Sequence, residues 1–192
     1  MKRPDNELLP RRGFLAASSL LMLGTPLVGF AQPEPRETAS GKDLPDELTP
    51  EETRQVEASV MGRAFASRFG HGYSCAESSL GAGLELLGKP EELVWAAAGF
   101  GGGLQHKDLC GLLTGSIMSI GFAAGMVEGE RKQKSQYRRE AVNELWDWWI
   151  ARAPLHCLAI REGRKGFKVC HRLGRITAVK VEELLGRAKP AL

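Results

Sequence analysis

Two capping boxes punctuate this 192-residue chain, Thr49-Pro50-Glu51-Glu52 and Ser74-Cys75-Ala76-Glu77. In each, an N-cap hydroxyl and a carboxylate three residues on satisfy backbone N–H groups that the first helical turn leaves free, so each marks a helix start. After the first, Val56, Val60, Ala64, Phe65 and Phe69 recur at helical spacing, and Gly70 supplies a stop. The second predicts a helix to about Leu87, ended by Gly88. Pro90 opens a third, with Leu93, Val94 and Trp95, that ends at Gly99. Asp108 is the expected N-cap of a fourth, "LCGLLTGSIMSIGFAAGMV". A fifth covers about Ser135 to Arg152, closed by Pro154, and a last covers about Val169 to Leu185. No clean period-two alternation and no internal repeat is visible. The expectation is an all-α single domain, a bundle of about five to six helices.

The N-terminus reads as an address. Arg11-Arg12-Gly13-Phe14-Leu15 keeps the core of the twin-arginine export motif S-R-R-x-F-L-K, with Pro10 and Ala16 departing at its ends. An apolar run from Phe14 to Phe30 follows, short for a membrane span and broken by Gly24, Pro26 and Gly29. Small residues at Gly29-Phe30-Ala31 suit cleavage after Ala31. The expected organisation is a signal peptide over 1–31, a Pro-rich polar linker over 32–48 and a four-cysteine helical domain over 49–188. The twin-arginine machinery would then be a partner and the location periplasmic or otherwise extracytoplasmic. That route carries folded proteins, often with a cofactor already inserted, so a cofactor is expected.

Charge is divided along the chain. Residues 32–130 hold 7 Lys and Arg against 15 Asp and Glu, and residues 131–192 hold 15 against 6. A nucleic-acid surface is set aside, because export removes the protein from nucleic acid. Either the halves attract each other, or the basic half lies beside something anionic, or it is a solvated helix face.

The stretch "GFGGGLQHKDLCGLLTGS" looks at first like a phosphate cradle. Its register fails, since Leu104 stands where the last glycine of G-x-G-x-x-G belongs, and a helix rather than a strand precedes it. No nucleotide is expected. The glycines instead form a helix–helix turn that lets the backbone approach whatever Cys110 holds.

The chain has four cysteines, Cys75, Cys110, Cys157 and Cys170. Cys75, Cys110 and Cys170 fall near expected helix starts, where free N–H groups and the helix dipole favour an anion, so their thiols should acidify. Lys165, Lys168, Arg172 and Arg175 should act the same way on Cys170. Three readings stand: a four-thiolate iron–sulfur site, a disulfide or dithiol pair system, and structural zinc. The separations of 35, 47 and 13 residues match neither a zinc knuckle nor a familiar ferredoxin pattern. His156 and His171 sit next to cysteines but project about 100° away on a helix, so they are weaker ligands. Phe167 occupies the first cysteine of a C-x-x-C-H haem pattern, so haem is not expected.

These residues resemble a known family, the C_GCAxxG_C_C redox-active proteins, related to the cysteine-rich domain of split-Soret cytochrome c. Members show a gyNCa segment, a GFGGG run leading into CGAvtG, and two separated C-terminal cysteines. Here the counterparts are "GYSCAESSL", "GFGGGLQHKDLCGLLTG", Cys157 and Cys170, over about Thr53 to Leu185. Ser74 replaces Asn, Leu109 precedes Cys110 in place of Gly, and Leu112 replaces Ala. The resemblance implies that Cys75, Cys110, Cys157 and Cys170 act as one group, as cofactor and metal ligands. It further implies a non-haem iron–sulfur centre, a homodimer and an unidentified redox partner. The expected function is electron transfer by an exported protein. The alternatives are a thiol–disulfide oxidoreductase using Cys75 or Cys110 as nucleophile, and a module merely held together by disulfides or zinc.

Other features have plainer explanations. Trp146 and Trp149 share a helix face with Leu145 and Ile150 and read as core, while Trp148 lies off that face and could mark a partner surface. Gly111, Gly115 and Ser119 form a small-residue stripe that permits close helix contact in a buried central helix. His71, His106 and Asp108 could make an acid–base site, but a polar loop with a cap explains them as well. No catalytic triad or metalloprotease motif is present.

Overall fold

A computed structural model describes residues 40–188, and the signal peptide expected over 1–31 lies outside them. The described residues form seven α-helices and no β-strand. The all-α expectation holds, with more helices than the five to six foreseen. They are α1 (Pro50–Ala58), α2 (Val60–Arg68), α3 (Cys75–Leu86), α4 (Gly111–Met126), α5 (Arg131–Ile150), α6 (Cys157–Arg161) and α7 (Lys168–Gly186). A 3₁₀ helix, Glu91–Phe100, and a π-type turn, Gly103–Lys107, lie between α3 and α4.

Both capping boxes close as their sequences foretell. Thr49 N–H donates to Glu52 Oε2 at 2.9 Å and Glu52 N–H to Thr49 Oγ1 at 3.1 Å. Ser74 N–H donates to Glu77 Oε2 at 2.8 Å and Glu77 N–H to Ser74 Oγ at 3.3 Å. The first helix, expected to run unbroken to Gly70, is divided at Ser59 (φ −79°, ψ 132°). A residue 123 positions beyond Ser59 holds the break. Glu182 of α7 accepts from Ser59 Oγ at 2.6 Å and from Met61 N–H at 2.7 Å, placing a carboxylate on the N-terminus of α2.

The helix after the glycine run also begins later than expected. Cys110, not Asp108, is the N-cap of α4, with extended backbone (φ −61°, ψ 128°). Helix α4 is buried on most sides, as a central helix should be. Gly115 and Ser119 lie against Ala76, Ser79 and Gly83 of α3, so the small-residue stripe lets α3 and α4 pack closely. Gly174 of α7 similarly takes the ring of Phe65, which would overlap any side chain there. Phe65, Leu145, Trp149, Leu173 and Val181 fill the core between these helices.

Trp149 is fully buried and donates its indole N–H to Pro154 O at 3.0 Å. Trp148 is half-buried, with the Arg152 guanidinium 4.5 Å from its ring centroid. No helix among the described residues is long and apolar enough to cross a membrane. Residues 40–48 form no helix, yet they are fastened. Arg164 donates to the carbonyls of Gly41, Lys42 and Leu44 and to Asp46, and Leu44 is buried.

Candidate functional site

All four cysteines stand at helix beginnings. Cys75 is the first residue of α3, Cys110 the N-cap of α4, Cys157 the first residue of α6 and Cys170 the third of α7. Glycines let these starts meet. A Cβ on Gly111 would lie 2.5 Å from Cys75 Sγ and 2.9 Å from Phe100 O, so the Cys75 sulfur rests on the residue after Cys110. A Cβ on Gly103 would lie 2.7 Å from Cys157 Cβ, and one on Gly101 2.6 Å from Ser74 Cβ. The glycine run is thus the floor on which Cys75 and Cys157 are laid.

Cys110 and Cys157 are tied to each other's segments. Leu109 and His156 form an antiparallel bridge. Cys110 N–H donates to Leu155 O at 2.9 Å, and Cys157 N–H donates to Asp108 O at 2.7 Å. The side chains repeat the tie, with His156 Nδ1 and Asp108 Oδ1 2.7 Å apart. Asp108 therefore serves this clasp rather than capping α4.

The turn beneath the clasp is wound left-handed. Gly102 and Gly103 have φ of 62° and 66°, and Leu104, Gln105 and Lys107 follow at 55°, 64° and 61°. Glycines adopt this freely, but each of the three larger residues costs about 1–2 kcal/mol. The Asp108 N–H···O=C Gly103 bond of 2.9 Å closes the turn. Strain of this kind persists only where surrounding contacts enforce it, and here the enforcing contacts are those that seat Cys157.

The four thiols are free and form one electrostatic group. Charge on Cys75, Cys170 or Cys157 would be felt at Cys110, and charge on Cys75 or Cys157 at Cys170. The acidified thiols foreseen for Cys110 and Cys170 are absent. Burial pushes Cys110 far up, with Cys75 adding to it while the Leu112 N–H opposes. Burial takes Cys170 up to about 12, with Cys75 and Cys157 adding and Arg161 and Arg164 opposing. Burial also raises Cys157, with Cys75 adding and Arg161 and Lys107 opposing. The helix dipole acts on these sulfurs, but loss of water outweighs it. The expected quartet of Lys165, Lys168, Arg172 and Arg175 does little for Cys170, and Arg172 instead pairs with Glu52.

A family model described as "Putative redox-active protein (C_GCAxxG_C_C)" matches residues 73–184, from the turn before α3 to near the end of α7, with all four cysteines inside. The chain belongs to that family. No curated protein and no solved structure matches it.

The C_GCAxxG_C_C pattern can now be read as geometry. Its first cysteine and its glycine-rich block are the α3 start and the α4 start, stacked through Gly111. Its last two cysteines come from α6 and α7. The departures leave the thiols in place. Ser74 caps α3 through its hydroxyl. Leu109 supplies backbone to the clasp, and Leu112 is fully buried in the core.

His106 lies exposed on the left-handed turn, and His71 is exposed beyond α2. Neither joins Asp108. His171 packs against Phe69 at 4.6 Å between ring centroids. The Phe167 ring lies 6.3 Å edge-on from Phe69 and 4.2 Å beneath Arg161. Among the described residues, no three His, Cys, Asp or Glu side chains are disposed to hold one metal ion. Sequence reasoning missed α6, the His156–Asp108 tie and Arg161. A five-residue helix carries too few turns to show a period, and the tie joins residues 48 apart.

Proposed function

We propose that this member of the redox-active family is an exported electron-transfer protein whose four cysteines hold an iron–sulfur cluster. The observation that carries the reading is that four helix starts, each bearing one thiol, form one electrostatic group in which Cys110, Cys157 and Cys170 are buried and Cys75 is half-buried. Such a donor set is all sulfur, which suits iron–sulfur chemistry better than hard cations. Four thiolates cannot ionise side by side in a buried place unless something positive binds them, and the raised thiols express that cost. Bound there, a cluster would supply one-electron chemistry. Cys75, Cys110, Cys157 and Cys170 would be its ligands. The helix starts would direct N–H groups at the sulfurs, and Arg161, Arg164 and Lys107 would offset its negative charge. The signal-like segment over 1–31 supports export to the periplasm, and cluster insertion before export would suit that route.

One further observation favours thiol–disulfide exchange as a second reading. Cys75 is the one half-exposed thiol of the four, and its charge acts on all three others. Its thiolate would attack a partner's disulfide from the solvent side, releasing one partner thiol, and a neighbouring cysteine would then attack the mixed disulfide at Cys75, releasing the second partner thiol and leaving an internal disulfide.

Anaerobic purification with iron and sulfide counts, and a visible spectrum before and after dithionite, tests the choice. The cluster reading expects near-equal iron and sulfide, and absorption that bleaches on reduction. Substituting any one cysteine by serine should lower the iron content. A colourless, iron-free protein with four titratable thiols would sink it. Reversible loss of two thiols at a biological potential would then support exchange.

A further inference from the structure

The apolar residues exposed near the cysteines are not scattered. Leu104 follows Gly103, which touches Cys157. Leu158 follows Cys157, and Phe167 lies beneath Arg161, whose charge acts on both Cys157 and Cys170. Helix α6 packs against the left-handed turn and against α7, and Leu158 stands three residues before Arg161, which covers Phe167, so the three positions lie on segments in mutual contact. Leu104, Leu158 and Phe167 keep 37, 59 and 52 % of their surface exposed. The exposed ammonium groups of Lys107, Lys165 and Lys168 stand on the same three segments. The exposed carboxylates on those segments are Glu162 and Asp108, and Asp108 is already held by His156. The other strongly exposed aromatic, Trp95, has the opposite setting, beside Glu91 and Glu92.

Resting on the redox reading, we propose that Leu104, Leu158 and Phe167, rimmed by Lys107, Lys165 and Lys168, form the docking face for a separate redox protein with an acidic rim around an apolar centre. An apolar middle within a charged rim is the anatomy of a specific transient interface. The cationic rim steers an acidic partner and orients it, while the apolar middle holds it at the wall of the buried sulfurs. Without such a face, buried thiols or a buried cluster would exchange electrons slowly with any protein.

The test uses the purified full-length protein and two probes, an acidic plant-type ferredoxin and a basic cytochrome c. Affinity is measured by calorimetry at low and high salt. The expected result is ferredoxin binding that weakens steeply with salt, and no comparable binding of the cytochrome. The surface variants Lys165→Glu/Lys168→Glu and Leu158→Gln should each weaken ferredoxin binding about tenfold. Equal ferredoxin affinity in wild type and variants overturns the proposal, as does preference for the cytochrome. Concentration-dependent dimerisation abolished by Leu158→Gln also overturns it, assigning the face to a second copy. Reduction of each protein by methyl viologen is followed in parallel. Unchanged titration in the variants shows that only docking was altered. If no protein takes up electrons, the redox reading fails, while the affinities still decide whether an acidic protein docks here.

Discussion

At Gly111 a single hydrogen decides whether two cysteines can meet. A methyl group there would press on Cys75 Sγ at 2.5 Å, Phe100 O at 2.9 Å and Ala76 N at 3.2 Å, and two of those three atoms are backbone. Gly111→Ala should therefore destabilise the fold by about 1–3 kcal/mol, as overpacking does. It should also push Cys75 away from the group, visible as faster alkylation of one thiol. Gly121, on the same helix, has nothing within 4 Å of a built Cβ. Gly121→Ala should stabilise by about 0.5–1 kcal/mol through helix propensity alone. Paired denaturant titrations read both values. Equal behaviour of the two variants would show that Gly111 is mere helix composition.

Between elements, side chains of α7 do most of the fastening. Glu182 holds the start of α2 through Ser59 and Met61, so Glu182→Ala strands a buried hydroxyl and an N–H group. The expected loss is about 2–3 kcal/mol by chemical denaturation, and a loss below about 0.5 would contradict this account of the α1–α2 break. On the far side, Glu144 of α5 receives Lys180 of α7 and Arg187, the C-cap of that helix. Hydrogen bonds from Arg187 and then Lys180 hold its carboxyl at about 2, below the ordinary 4.5. A depressed acid stabilises the fold above its unfolded value and ceases to do so as pH falls through its folded value. Glu144→Gln should thus cost stability at neutral pH and match wild type near pH 2, with the gap closing between about 4.5 and 2. Because the pair is solvated, the neutral-pH gap should be about 0.5 kcal/mol. Melting temperatures across that range check the direction.

For the molecule as a whole, the helical class and the placing of Cys75, Cys110 and Cys170 near helix starts were legible, because caps, glycines and apolar spacing are local, whereas α6 and the place of Cys157 on it were not. The convergence of those starts was legible only through the family resemblance. Nothing in residues 108–110 announces that they pair with 155–157, and the acidity expected of Cys110 and Cys170 was reversed by a burial that sequence position does not reveal. The division of charge was visible but not its purpose. Among the described residues, the arginine pairs Arg172–Glu52 and Arg164–Asp46 join the basic half to the acidic half, beside the His156–Asp108 tie. Arg164 is the more informative, since its fork also gathers three carbonyls from residues 41–44. Arg164→Lys keeps the charge beside Cys170 but loses that planar fork. The segment over residues 40–48 should then detach locally while the helices stay folded, because no helix depends on it. Limited trypsin digestion should cut after Lys42 roughly tenfold faster than in wild type, in proportion to the population of the opened segment. The melting temperature should move little. Unchanged cleavage after Lys42 would mean that Leu44, buried against the core, holds the segment without Arg164. A large fall in melting temperature would mean that the segment is part of the cooperative domain.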